Sequence, residues 1–314
     1  MLTKRDFLLA ALATGLLTAS GVSAAPKEFR IGYQKSSGIL VATRQQQAME
    51  TRLKTLGVTN VRWVEFQFGP PLLEALSSGA IDIGAVGDAP PILAQSAGAD
   101  LVYVASAPAT QNALLVPKES PIKTVAELKG KKIAFGKGSS SHNLVVQALR
   151  QAGLKYSDIE PAFLTPADAA AAFATGRVDA WAIWDPYYAI AQQRHNARAL
   201  VTTNDGLGSH SFYLANRSFA NSNPDVLSAA LDELRKVTAW AAKNRDKLAS
   251  ITAEVTGVSF EAQKTATDRY PLEFNPLTEP VLNQQQAIAD AFFEIGLIPK
   301  KITVRDIVWT APKS

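Results

Sequence analysis

Two stretches of this chain, LLEALSSGAIDIGAVGDAPP (72–91) and AAAAFATGRVDAWAIWDPYY (169–188), align without a gap at an offset of 97 residues. Gly79 matches Gly176, Asp82 matches Asp179, Ala85 matches Ala182 and Asp88 matches Asp185. Self-similarity at a fixed offset constrains a fold more tightly than a single motif, because each copy is one supersecondary unit built twice. Each copy reads as an amphipathic helix stopped by glycine at its C-terminal cap, then an apolar strand, then an acidic residue just past the strand.

The likeness extends upstream. FRIGYQKSSG (29–38) parallels KKIAFGKGSSS (131–141), each reading as a strand, a Gly/Ser loop and the start of a helix. The second of these helices places Val145, Ala148, Leu149 and Ala152 at i, i+3, i+4 and i+7, one core-facing stripe. Between the flanks, VRWVEFQFGPP and IEPAFLTPAD each supply a second strand and a helix opened by proline. Each half is therefore expected to be a β-α-β-α-β parallel unit, which binds ligands beyond the carboxyl ends of its strands. The predicted fold class is α/β, with two such lobes facing one another.

The repeat stops near Asn204. Beyond it, 224–244, 246–255, 260–270 and 277–295 read as helices, and a closing PKKITVRDIVW is expected to pack on the first lobe. Two crossings, 107–112 and 204–212, join the halves and are rich in small or turn-forming residues, as a hinge pair tolerates. The expected division is lobe I at 25–108 and 210–314, and lobe II at 109–209.

Residues 1–24 read as a secretory signal rather than as part of the fold. Lys4 and Arg5 form a positive n-region, 7–17 an apolar core, and Val22, Ser23 and Ala24 a small-residue cleavage site. The apolar run is shorter than the roughly 20 residues a membrane span needs. TKRDFLL (3–9) resembles a twin-arginine signal with Lys in place of the first Arg, which leaves the export route open.

The signal predicts that the chain is exported. With no cysteine, an exported chain has no disulfide, no thiol nucleophile and no thiolate metal site, so its core must hold the fold alone. At 314 residues and 47% hydrophobic, the chain is long enough for that. Lys4, Arg5 and Asp6 supply +1 of the formal charge of +4, leaving +3 on the mature chain. Only Lys129, Lys131 and Lys132 cluster, and no basic stripe interleaves with aromatics, so nucleic acid is excluded as a partner.

Ser139, Ser140 and Ser141 lie between a strand and a helix, where unpaired backbone N–H groups can hold an anion. The bland reading is that Ser140 or Ser141 caps the helix; one serine satisfies a cap, and three leave hydroxyls over. The loop lacks the spacing of a nucleotide P-loop. Ser141 beside His142 does not make a nucleophile and base, since adjacent residues at a helix start point in different directions. Asp88 and Asp185 could face each other as an acid/base pair, or each could accept hydrogen bonds that shape its turn ahead of proline. Trp184 stands where the first repeat has Gly87, which reads either as core or as a cleft wall against an apolar tail.

The motifs RIGYQK, VEFQFGPPLLEAL, DIGAVGDAPPILAQSAGADLVYV, SPIKTVAELKGKKIAFGKGSSSHNL, VDAWAIWDPYY and GLIPKK run through the mature chain. Together they resemble the periplasmic aliphatic sulfonate-binding proteins of ABC importers, close to the nitrate- and taurine-binding proteins. The resemblance implies a type II two-lobed solute-binding fold that clamps its ligand between the lobes and performs no chemistry. It places the pocket on Gln34, Asp88, Ser139, Ser140, Ser141, His142, Trp184 and Asp185, with Phe212 and Tyr213 at the return crossing. In the GYQK loop this chain has Ser36, Ser37 and Gly38, where relatives vary. The partners it implies are an alkanesulfonate and an inner-membrane ABC permease, with the receptor a monomer that needs no cofactor and no metal. A taurine or nitrate receptor and a hydrolase on the same fold are the alternatives. A sulfonate only accepts hydrogen bonds, so hydroxyls, amide N–H groups and a helix N-terminus suffice for it, whereas a phosphate would also want an acceptor for its proton.

Overall fold

The computed structural model describes residues 26–311, so the expected secretory signal lies outside the described residues. Ten strands follow in chain order: β1 Glu28–Tyr33, β2 Asn60–Glu65, β3 Ile83–Val86, β4 Leu101–Pro108, β5 Asn112–Val116, β6 Lys132–Phe135, β7 Glu160–Phe163, β8 Ala180–Trp184, β9 Arg198–Thr202 and β10 His210–Asn216. They form two five-stranded sheets, ordered β2-β1-β3-β10-β4 and β7-β6-β8-β5-β9.

In each sheet the first three strands are parallel and come from the repeat. The fourth strand is antiparallel and arrives from the other half of the chain: β10 inserts between β3 and β4, and β5 between β8 and β9. The sheets are therefore mixed rather than purely parallel. Each lobe is completed by the strand that follows a crossing, which ties the two halves together at their shared edge.

The repeat is visible at the level of single hydrogen bonds. Asp82 Oδ2 accepts from Arg30 N at 2.7 Å, and its counterpart Asp179 Oδ2 accepts from Lys132 N at 2.8 Å. Each carboxylate thereby pins the start of one parallel strand to the start of its neighbour. Gly79 and Gly176, at φ +71° and +67°, end the helices Gly69–Ser77 and Pro166–Ala174 in the left-handed region that glycine enters without strain.

Side chains alternate along each strand, so each sheet packs helices on both faces. On β10, Tyr213 and Ala215 join one apolar cluster while Phe212 and Leu214 join the opposite one. The long helices Pro224–Lys243 and Glu279–Glu294 cover these two faces of the first sheet. The closing segment packs on the same sheet, with Val304 and Ile307 buried and Trp309 N donating to Tyr103 O at 2.9 Å. In the second sheet, helix Ser140–Gln151 buries Val145, Ala148 and Leu149 as its spacing predicts, with Ala152 only partly covered. Among the described residues no helix is long and apolar enough to cross a membrane.

Candidate functional site

The carboxyl ends of β1, β3, β6 and β8 converge on one cleft between the lobes. Its walls come from Gln34 and 36–39 after β1, from 85–87 at the end of β3, from 107–110 at the outgoing crossing, and from Ser139, Ser140 and Trp184 of the second lobe. Ser211 and Tyr213 on β10, with Tyr270, Leu272 and Glu273, close the remaining side.

Five of the residues singled out from the sequence thus come together: Gln34, Ser139, Ser140, Trp184 and Tyr213. Gln34 Nε2 donates to Ala85 O at 3.0 Å, which fixes the amide beside β3 and leaves its second N–H hydrogen unused by that bond. Ser140 opens helix Ser140–Gln151, and its Oγ lies 3.4 Å from Asn112 Oδ1. The backbone N–H groups of Ser140 and Ser141 belong to the first helical turn and have no intrahelical acceptor.

The cap of that helix lies one residue earlier than expected. Ser139, extended at φ −88° and ψ 173°, is the N-cap, and its side chain makes no cap bond. Its Oγ instead donates to Gly136 O at 2.7 Å and lies 2.8 Å from Ser141 Oγ. The serines divide the work: Ser139 and Ser141 hold the loop's shape, and Ser140 is left facing across the cleft.

The other candidates lie behind the lining. Ser141 and His142 are buried. His142 Nδ1 accepts from Gly138 N at 3.1 Å, so Nε2 carries the ring proton and donates to Tyr156 Oη at 3.0 Å. Burial, with Lys137 nearby, pushes the imidazole down to about 4, which keeps it neutral at physiological pH. With both ring nitrogens engaged and Ser141 bonded to Ser139, there is no Ser-His nucleophile. Phe212 is buried edge-on against Tyr103, because alternation along β10 sends only one of Phe212 and Tyr213 toward the cleft.

Asp88 is fully buried and accepts from Ala89 N at 2.7 Å, Asn143 Nδ2 at 2.5 Å and Ser209 Oγ at 2.7 Å. Asp185 accepts from Ala189 N at 3.1 Å and pairs with Arg269 Nη1 at 3.1 Å. Burial pushes both carboxyls up to about 6, against the hydrogen bonds and, for Asp185, the guanidinium that favour ionisation. Each aspartate shapes its turn and reaches the opposite lobe, rather than facing its twin across open space. Asp185 borders a smaller space beside the cleft, with Ser36, Thr110 and Tyr270.

The contrast between Trp184 and Gly87 has a steric cause. A Cβ built on Gly87 would lie 2.8 Å from Ser140 Cβ and 2.9 Å from its Oγ. The lobes touch there, so the first repeat can carry no side chain where the second carries an indole. Trp184 is 5% exposed, edge-on to Tyr187, and serves at once as core and as wall. Sequence reasoning missed Asn143, Ser209, Arg269 and the lining segment through Glu273. The last three come from the part of the chain without a repeat partner.

Chemically, the cleft offers hydroxyls, amides and a helix N-terminus, and among the described residues no Lys, Arg or His lines it. Such a set binds an oxyanion through neutral donors. Among the described residues no cluster of His, Asp or Glu is placed to hold a metal ion.

Comparison with known proteins matches the NMT1/THI5-like family model to residues 64–247. The chain is 45% identical to an Escherichia coli (strain K12) protein named for aliphatic sulfonate binding, over 97% of each. The crystal structure of the periplasmic aliphatic sulphonate binding protein SsuA from Escherichia coli superposes with TM-score 0.84 at 44% identity, covering 92% of this chain and 94% of that one. The alkanesulfonate-binding protein SsuA from Xanthomonas axonopodis pv. citri, bound to MOPS, superposes with TM-score 0.85 at 41% identity, covering 91% and 99%. Its two-lobed α/β architecture is theirs, and the chain belongs to the NMT1/THI5-like family, in company with these aliphatic sulfonate-binding proteins.

Proposed function

We propose that this chain is a periplasmic receptor that captures an aliphatic sulfonate between its lobes and delivers it to an inner-membrane ABC permease. The observation that carries the reading is the serine loop: a helix N-terminus with free N–H groups and a facing hydroxyl, opposed by the bare backbone of Gly87. A sulfonate needs donors only, and the cleft supplies donors without a cation that would have to be desolvated. The Asp88 carboxylate is already engaged by Ala89, Asn143 and Ser209, so it is not free to accept a phosphate's proton. The relatives' names and the MOPS-bound homologue support the same class of ligand.

In this reading the sites of contact are Gln34, Ser139, Ser140, Trp184 and Tyr213, while Asp88, Ser141, His142, Asp185 and Phe212 support them from behind. Lobe I spans 25–108 and 210–314, lobe II 109–209, and the crossings act as hinges. The receptor works as a monomer and performs no catalysis; the chain has no cysteine, and among the described residues the cleft lining pairs no nucleophile with a base. Calorimetric titration of the mature chain with alkanesulfonates, taurine, nitrate, sulfate and phosphate tests this. Alkanesulfonates are expected to bind and to be recovered intact. Tighter binding of nitrate or phosphate, or turnover of the ligand, would overturn it.

A further inference from the structure

Among the described residues that line the cleft, one carries a formal charge, and it is an acid, Glu273. For an anion receptor this is the wrong sign at first sight. The segment that carries it is fixed at both ends. Arg269 pairs with Asp185 of the second lobe. Asn275 exchanges two backbone hydrogen bonds with Ser106 of β4, at 2.9 and 2.8 Å. Leu272 is buried between these anchors. The backbone at Glu273 is therefore held beside the cleft by its neighbours, with its side chain exposed.

Asn275 Nδ2 donates to Glu273 Oε2 at 3.1 Å, which leaves Oε1 unengaged among the described residues. No lysine or arginine pairs with Glu273 in the ion pairs found among them. The lining also presents aromatic rings, Trp184, Tyr213 and Tyr270. A carboxylate in a lining that also holds aromatic residues can attract an ammonium group, by charge and by cation–π contact. A bare alkyl tail gains nothing from the carboxylate, and its sulfonate is repelled by it.

We propose that Glu273 makes this cleft select, among sulfonates, those whose tail carries a protonated amine. The inference rests on the sulfonate reading of the cleft and names the class of sulfonate it prefers. Glu273 acts on the tail, and the serine loop on the head group.

Butane-1-sulfonate and 3-aminopropane-1-sulfonate have the same length and differ by a methyl against an ammonium, so their affinity ratio isolates the tail charge. Calorimetric titration of the parent and of Glu273→Gln with both ligands is the test. The substitution should tighten butane-1-sulfonate and weaken 3-aminopropane-1-sulfonate, moving the ratio by about fivefold, as befits an exposed carboxylate. Raising the salt concentration should move the parent's ratio in the same direction, a readout that does not depend on the variant folding. A ratio unmoved by both substitution and salt, with both sulfonates binding, overturns the role of Glu273 alone. Failure of the parent to bind either sulfonate overturns the reading of the cleft itself.

Discussion

Asn143 of the second lobe donates through Nδ2 to Asp88 Oδ2 of the first at 2.5 Å. The residue that repeats Asp88, Asp185, is met in the reverse sense: it lies on the second lobe and pairs with Arg269 from the C-terminal segment. The internal repeat thus yields two buried carboxylates that each reach across the cleft in opposite directions. Both contacts exist only while the lobes are together.

Burial holds the Asp88 carboxyl at about 6, so between pH 4 and 6 the folded chain binds a proton that the unfolded chain has released. Its contribution to stability is complete below about pH 4 and is lost as the pH rises through 6. The span from the ordinary value to about 6 corresponds to about 3 kcal/mol. Asp88→Asn removes this titration while leaving that of Asp185. The stability of the parent minus that of the variant should therefore fall by roughly that amount from pH 4 to 7. Chemical denaturation of both proteins at steps across this range checks it, and a difference that stays flat would show that Asp88 does not titrate in the folded chain.

Gly87→Ala should separate closure from folding. The added methyl would stand 2.8 Å from Ser140 Cβ, across the lobe boundary and not inside either sheet's core. An overlap that close cannot be absorbed by a rotamer change, since a Cβ position is set by its backbone. The lobes must then stand slightly apart. Sulfonate affinity should drop tenfold or more while the ligand-free thermal midpoint moves little. Small-angle scattering with saturating ligand should give a larger radius of gyration than the parent's.

Trp184→Ala should act through the ligand's carbon chain. The indole lies on the cleft wall, and each methylene it covers is worth roughly 0.8 kcal/mol. Affinity for longer alkanesulfonates should fall more than affinity for methanesulfonate, as read by titration along a homologous series. Equal losses along the series would assign Trp184 to the core alone.

The repeat made the sheet cores legible, because Asp82 and Asp179, or Gly79 and Gly176, do the same local work twice. What it could not show is where the halves meet. Arg269 and Ser209 are found beside Asp185 and Asp88 only because helices and a crossing without a repeat partner fold back onto the cleft. The division among the three serines was hidden for a related reason. Ser139 and Ser141 face each other at 2.8 Å because the chain turns between them, and a one-residue shift of the cap decides which hydroxyl is left over. Phe212 and Tyr213 are adjacent in sequence, and period-two alternation, readable in principle, sends only Tyr213 to the cleft.

The serine loop gives the sharpest division of effects. Ser140 Oγ has only a 3.4 Å contact to Asn112, so in the closed cleft it is available to an anion oxygen. Ser141 Oγ is buried and bonded to Ser139, whose own hydroxyl holds Gly136. A hydroxyl bonded to a charged oxygen is worth about 1.5–3 kcal/mol, so Ser140→Ala should weaken an alkanesulfonate by roughly tenfold or more. Binding should persist, because the backbone N–H donors of the first helical turn survive the change. The thermal midpoint of the ligand-free protein should stay close to the parent's. Ser141→Ala should show the reverse emphasis, with a lower midpoint because the Ser139 hydroxyl loses a buried partner, and a smaller, indirect loss of affinity. Paired calorimetric titration and thermal unfolding of the two variants read this out. If Ser140→Ala binds as tightly as the parent, the hydroxyl serves only the loop and the anion is held by backbone alone.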